Sequence, residues 1–234
     1  MIYPEARLFV VSDTAYSVEF GDEISEQLQY RVVALTRLLD EAPIPALIEV
    51  IPSYRSVMIE YNPLIMDAKS MAELLMNLSR HQPRQTFKSG RTVEIPVCYG
   101  GAFGPDLADV ATQTCLSEEG VVKIHSSSSY PVYMMGFMPG FPFLGGMDKR
   151  IAAPRLSTPR LIIHPGSVGI AGEQTGIYPC ATPGGWRIIG RTPLSIFDKS
   201  KQDPFLLAVG DTVHFLPIDE ATYLAMSSGD GAQR

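Results

Sequence analysis

The apolar positions of the first 80 residues change period several times. Arg7–Ser12 and Tyr16–Phe20 are short strand-like runs joined by a polar turn at Asp13-Thr14. From Ile24 the apolar residues take helical spacing (Ile24, Leu28, Val32, Leu35, Leu38, Leu39), predicting a helix that stops by Pro43. Strands follow at Ala46–Ile51 and Ser56–Tyr61 around a Pro52–Arg55 turn. Ser70-Met71-Ala72-Glu73 reads as a capping box opening a second helix, with Met71, Leu74, Leu75 and Leu78 on one face. Adding a strand at Arg91–Val97, the order predicts a split βαβ arrangement, two helices on one face of an antiparallel sheet.

Pro83–Thr92 is polar and turn-rich and marks a domain boundary, giving an α/β domain over residues 1–88 and a second domain over residues 89–234. In the second domain, Asp106–Gln113 and Ser117–Ser126 are expected short helices, the latter with Glu118 and Glu119 in its first turn. Tyr130–Phe137 is an expected strand. Beyond it, short strands recur every 8–12 residues between Gly/Pro turns as far as Thr212–Leu216. That rhythm predicts a closed or nearly closed β-barrel, since closure removes exposed edges. The fold class is α+β.

Composition sharpens one part of this picture. Residues 136–193 hold 11 of the chain's 20 glycines and 8 of its 19 prolines, interleaved with Phe137, Phe141, Phe143, Tyr178 and Trp186. Glycine reaches backbone shapes closed to other residues, and aromatics at this density separate the segment from a disordered linker. Six basic residues (Lys149, Arg150, Arg155, Arg160, Arg187, Arg191) face two acidic ones here, a balance of +4 in a chain of net charge −6. A Gly-rich, locally cationic surface in an acidic protein predicts a site for a small anion such as a carboxylate or phosphate.

Acidity overall argues against a nucleic-acid binder. No apolar run reaches the roughly 18–20 residues that span a bilayer, and the N-terminus lacks the pattern of a signal peptide. Three widely spaced cysteines (Cys98, Cys115, Cys180) fit free thiols, which places the protein in the cytoplasm. There is no phosphate loop of the G-x-x-x-x-G-K-[ST] type and no C-x-x-C or H-E-x-x-H pattern, so no metal is expected. Ser167 sits one register off a nucleophile elbow, which excludes a hydrolase triad built on it.

Four features carry candidate chemistry. His125 is placed to shuttle protons near neutral pH. Arg155 and Arg160 flank Ser157-Thr158-Pro159 and can converge as two forked donors on one anion. Gln174-Thr175-Gly176 is a polar turn able to hydrogen-bond an amide. Phe137, Phe141 and Trp186 are expected to line an apolar wall.

These residues lie in runs that resemble the PxpB/KipI family, the allophanate hydrolase subunit 1-like proteins. The shared runs are His125-Ser126-Ser127, Val132 through Pro142, Leu144-Gly145-Gly146, Pro154 through Arg160, Gly166 through Gly172, Gln174 through Pro179, Pro183 through Trp186 and Gly190 through Leu194. One departure is Ile162-Ile163-His164-Pro165, where family members usually carry a second basic residue and Val-Pro-Ala.

The resemblance implies a ferredoxin-like N-terminal domain followed by a cyclophilin-like β-barrel domain. It implies a subunit that acts with a PxpC/KipA-type and a PxpA-type partner as an ATP-dependent 5-oxoprolinase, opening 5-oxo-L-proline to L-glutamate. Opening a resonance-stabilised lactam is uphill, so coupling to ATP makes chemical sense, through phosphorylation of the amide oxygen before water attacks. ATP, if bound by this chain, would occupy a site shared with the partner. Arg155 and Arg160 would face the substrate carboxylate or phosphate, with His125 as proton carrier, and Phe137, Phe141, Ser167, Gln174, Thr175, Tyr178 and Trp186 around the substrate. Two other roles occur among relatives: inhibitor of a sensor histidine kinase, and carboxyltransferase-type subunit of urea/allophanate metabolism.

Overall fold

In the computed structural model the chain divides into two compact units, Met1–Lys88 and Ser89–Arg234, of which residues 1–80 and 90–229 are described. The expected boundary at residues 88/89, and most of the Pro83–Thr92 segment that marks it, lie outside the described residues.

The first unit is a four-stranded antiparallel sheet with two helices. Its elements are β1 (Ile2–Ser12), β2 (Ala15–Gly21), α1 (Glu26–Glu41), β3 (Leu47–Pro52), β4 (Ser56–Tyr61) and α2 (Ala68–Arg80), and the strand order is β1-β2-β4-β3. Helix α1 starts at Ser25, whose Oγ accepts the Leu28 N–H, so Ile24 lies before the helix and is exposed. Helix α2 starts earlier than the capping-box pattern predicts. Asp67 caps it instead, Oδ1 accepting the Ser70 N–H at 3.0 Å and Oδ2 the Ser70 hydroxyl at 2.8 Å. Leu28, Val32, Leu35 and Leu39 of α1 and Met71 and Leu75 of α2 are buried with Val18, Phe20, Val57 and Ile59 of the sheet.

The strand expected to complete this sheet belongs elsewhere. β5 (Thr92–Tyr99) is a strand of the second unit, and β1, hairpinned onto β2, supplies the fourth strand of the first. The two-residue turn at Asp13-Thr14 pairs β1 with β2 at less cost in chain closure than a long connection would pair β5 with that sheet.

The second unit continues with α3 (Leu107–Thr114), α4 (Glu118–Ser127), β6 (Tyr130–Met135), β7 (Pro142–Leu144), β8 (Arg160–Ile163), β9 (Ser167–Ala171), β10 (Gln174–Ile177), β11 (Thr182–Gly184), β12 (Arg187–Arg191), β13 (Thr212–Ile218) and α5 (Glu220–Gly229). Seven strands close a barrel in the order β10-β7-β6-β13-β5-β12-β9, while β8 and β11 form a separate two-stranded ribbon. Most barrel pairings are antiparallel, but β13 runs parallel to β5 over seven residue pairs, from Thr212/Thr92 to Ile218/Cys98. Helix α5, for which the sequence pattern gives no signal, follows β13 directly.

The barrel interior holds Ile95, Val97, Val132, Val168, Ile170, Ile177, Ile189, Val213 and Phe215. A second, smaller cluster of Phe141, Ile163, Ala171, Tyr178, Trp186 and Ile188 packs apart from it. β9 separates the two and is buried at all five positions. Val168 and Ile170 face the interior, whereas a side chain at Gly169 would meet Trp186 and Ile188. This second cluster forms the floor of the candidate site.

Candidate functional site

Residues 136–141 fold as two fused turns. The Gly136 N–H donates to the Phe141 carbonyl at 3.2 Å and closes the base of the loop. The Phe141 N–H donates to the Met138 carbonyl at 3.1 Å, with Pro139 and Gly140 (φ +85°) at the corners, as in a type II turn. At the tip the Met138 N–H donates to the Gly136 carbonyl at 2.7 Å, so Phe137 sits alone inside a three-residue turn at φ +65°. That γ-turn is of the rarer, strained hand. A left-handed backbone costs a bulky residue on the order of 1–3 kcal/mol.

The loop and strand β7 that follows it bring Phe137, Phe141 and Phe143 to a pocket of about 290 Å³. Tyr178 and Trp186, residues 183–185 at the end of β11, Pro159 and Arg155 complete its lining. Phe141 is the hub. Its ring meets those of Phe137 (5.6 Å), Tyr178 (5.2 Å) and Trp186 (5.5 Å) edge-on and that of Phe143 at 4.9 Å. Edge-to-face pairs of this kind fix ring orientation beyond what area burial does. Burial pushes the Tyr178 hydroxyl up to about 12, so at neutral pH it stays protonated, a hydrogen-bond donor and not a base. No carboxylate or imidazole lies among the lining residues.

Arg155 is the pocket's cation. It is exposed at the mouth and makes no ion pair or hydrogen bond among the described residues. Four of the other five basic residues of the stretch are committed. Lys149 pairs with Glu173, Arg150 with Asp148, Arg160 with Asp106 and Arg187 with Asp109. Two of those carboxylates, Asp106 and Asp109, lie outside the stretch, at the cap and in the first turn of α3. The +4 balance therefore overstates the free charge. Arg191 is half-buried with its guanidinium 6.0 Å over the Phe103 ring and its Nε without a partner.

The paired forks expected of Arg155 and Arg160 thus separate. Arg160 donates from Nη1 and Nη2 to the two oxygens of Asp106 at 2.8 and 2.6 Å, and Asp106 also accepts the Ile188 N–H at 2.7 Å. The second guanidinium clamps α3 to the base of the ribbon and is not available as an anion clamp.

His125 is also relocated. It is wholly buried, its ring stacked on Phe215 at 4.5 Å. Nδ1 lies 2.8 Å from the Tyr99 hydroxyl and Nε2 lies 3.0 Å from the Thr175 hydroxyl, which donates to the Gly169 carbonyl at 3.0 Å. A Tyr99 O–H donating to Nδ1 and an Nε2–H donating to Thr175 satisfy every group in this chain with a neutral imidazole. Burial drives its pKa down to about 3, so near neutrality the ring stays neutral and takes up no second proton. The expected proton shuttle is a polar peg in the barrel core.

Thr175 belongs to that peg and not to the pocket. Ser167 is buried in β9, its backbone engaged by His164 and Tyr178, and half-buried Gln174 opens β10; neither lines the pocket. Of the expected site residues the structure brings together Phe137, Phe141, Tyr178, Trp186 and Arg155. Phe143, Pro159 and residues 183–185 join them, and the Phe-Pro-Phe and Pro-Gly-Gly-Trp runs were the available signal for all but Pro159.

Known proteins resemble this chain along nearly its whole length. The family of the carboxyltransferase domain, subdomain C and D, matches residues 6–207. The 5-oxoprolinase B-subunit of Bacillus subtilis is 46% identical over 233 residues, covering 92% of this chain and 94% of that protein. The protein of the same name from Escherichia coli O157:H7 is 42% identical over 219 residues, covering 92% and 97%. Among solved structures, the crystal structure of TTHA0988 superposes with a TM-score of 0.77 at 37% identity, covering 88% of this chain; this chain spans 40% of that longer one.

Proposed function

The chain belongs to the family of the carboxyltransferase domain, subdomain C and D, and from that membership we propose that it is the B-type subunit of a 5-oxoprolinase, opening 5-oxo-L-proline to L-glutamate in a multi-subunit enzyme. The observation that carries its part in the reaction is the aromatic pocket with one unpaired guanidinium at its mouth. A five-membered lactam acid presents a flat ring and a single carboxylate. The rings of Phe141, Tyr178 and Trp186 offer apolar faces to the former, and Arg155 offers two parallel donors to the latter.

What this chain supplies is binding and orientation. Tyr178 holds its proton, and no lining residue can accept one from water, so the general base comes from a partner subunit. The pocket suits a small monoanion better than a nucleotide. The pocket is about 290 Å³ with one free cation, at the low end for ligands of drug size, and Arg160 is occupied by Asp106. We therefore assign the ATP that lactam opening requires to a PxpC/KipA-type or PxpA-type partner. Within the fold, we read the first unit as ferredoxin-like with β1 in the edge position, and the barrel as cyclophilin-like. Three unpaired cysteines favour a reducing, cytoplasmic setting, and among the described residues no helix is long and apolar enough to cross a membrane.

Mixing this chain with its partner subunits, ATP and 5-oxo-L-proline should release glutamate, and omitting the chain should abolish release. No turnover, together with inhibition of histidine-kinase autophosphorylation, would replace the enzymatic reading with a docking one.

A further inference from the structure

Resting on the assignment of this pocket to a lactam acid, we infer that Phe137 is the specificity-determining residue that sets which ring size the pocket admits. The other four rings are held by their surroundings. Phe141 and Tyr178 are 1% exposed, Trp186 is 6% exposed and Phe143 is half-buried. Phe137 is 67% exposed and, among the described residues, meets one other ring, that of Phe141.

Its backbone is equally singular. The loop base is closed by the Gly136–Phe141 and Met138–Phe141 hydrogen bonds, while the tip is carried by one bond across a left-handed phenylalanine. Among the described residues only Cys115 shares a positive φ without being glycine, and Cys115 terminates α3, where that conformation is ordinary. Strain at Phe137 has no such structural reason, and strained residues of this type persist where a ligand is gripped. The pocket is thus lined by four packed rings and one ring on an exposed tip of left-handed backbone. The resting position of that last ring fixes the slot's width, and a thicker ring must displace it.

A hydrophobic slot discriminates one methylene by about 10–200-fold. The relevant pair is 5-oxo-L-proline and its six-membered homologue, 6-oxopiperidine-2-carboxylate, which carries one more methylene in a puckered ring. Two variants separate ring from strain. Phe137→Ala removes the ring and keeps a side chain in the left-handed region, whereas Phe137→Gly removes both.

The experiment measures kcat/KM for both acids in the reconstituted enzyme, with Arg155→Ala alongside and melting temperatures for each chain. Both Phe137 variants should raise the six-ring to five-ring ratio by about tenfold or more. Phe137→Gly should melt no lower than the parent and above Phe137→Ala. An unchanged ratio while Arg155→Ala loses activity overturns this inference alone. Unchanged kinetics in all three variants overturn the pocket assignment beneath it. A Phe137→Gly chain that melts well below the parent would show that the turn is structural and not strained for binding.

Discussion

Arg160 and Asp106, 54 residues apart, meet through two parallel N–H···O bonds of 2.8 and 2.6 Å, and the same carboxylate receives the Ile188 backbone N–H. Asp106 is 5% exposed, so removing either partner strands the other. Arg160→Ala should cost about 3 kcal/mol of stability because it leaves the buried Asp106 carboxylate without its cation. Asp106→Ala should cost a comparable amount, because it leaves the Ile188 N–H without its acceptor even though the freed guanidinium reaches solvent. Denaturant unfolding checks both. The folded fraction should keep kcat/KM within about threefold, a small effect on the scale where tenfold is 1.36 kcal/mol; a hundredfold loss in Arg160→Ala would restore it to the site.

His125→Ala should destabilise the chain by about 3 kcal/mol or more, since it opens a core cavity and orphans the Tyr99 and Thr175 hydroxyls. Whatever folds should still turn over substrate when assembled. Thermal melts and assays of the soluble fraction test this, and a fully folded but inactive variant would contradict it.

The same residue gives the protein a pH signature. An unfolded histidine titrates near 6.5, whereas burial holds His125 to about 3. Its contribution is thus intact above pH 6.5 and is lost as pH falls from 6.5 toward 3, because the unfolded chain takes up a proton that the fold refuses. The slope is about 1.4 kcal/mol per pH unit. Stability measured from pH 7 to pH 4 should fall more steeply for the parent than for His125→Gln; parallel curves would show that the imidazole is protonated in the fold.

Arg155→Ala should raise KM for 5-oxo-L-proline at least tenfold, about 1.4 kcal/mol, with the melting temperature unchanged. The side chain is exposed and makes no ion pair among the described residues, so there is nothing structural to lose. Arg155→Lys should recover only part of the affinity, because an ammonium lacks the fork that matches a carboxylate. Steady-state kinetics in the assembled enzyme decide it.

Much of the fold was legible because it follows from period and punctuation. The α1 stripe, the Ser117 cap and the barrel's strand rhythm each depend on neighbours in the chain. The failures depend on partners far away. Nothing local says that β5 pairs with β13 rather than completing the first sheet, or that Asp106 will neutralise Arg160. His125 looked like a proton carrier because its sequence neighbours are serines, while its spatial neighbours are Phe215, Tyr99 and Tyr130. The aromatic pocket was within reach because most of its lining comes from two short runs, residues 137–143 and 183–186, in which ring and turn residues are neighbours in the chain.

The parallel seam between β5 and β13 bears on how the protein is made. Thr92 and Thr212 are adjacent in the barrel but 120 residues apart in the chain. Such distant contacts slow folding, since the intervening loop must be closed before any contact rewards it. On the ribosome, the second unit waits with two raw strand edges until β13 emerges. A nascent chain stalled before residue 212 would therefore be a substrate for chaperones and proteases, while the first unit, whose strands all lie within 61 residues, has already settled.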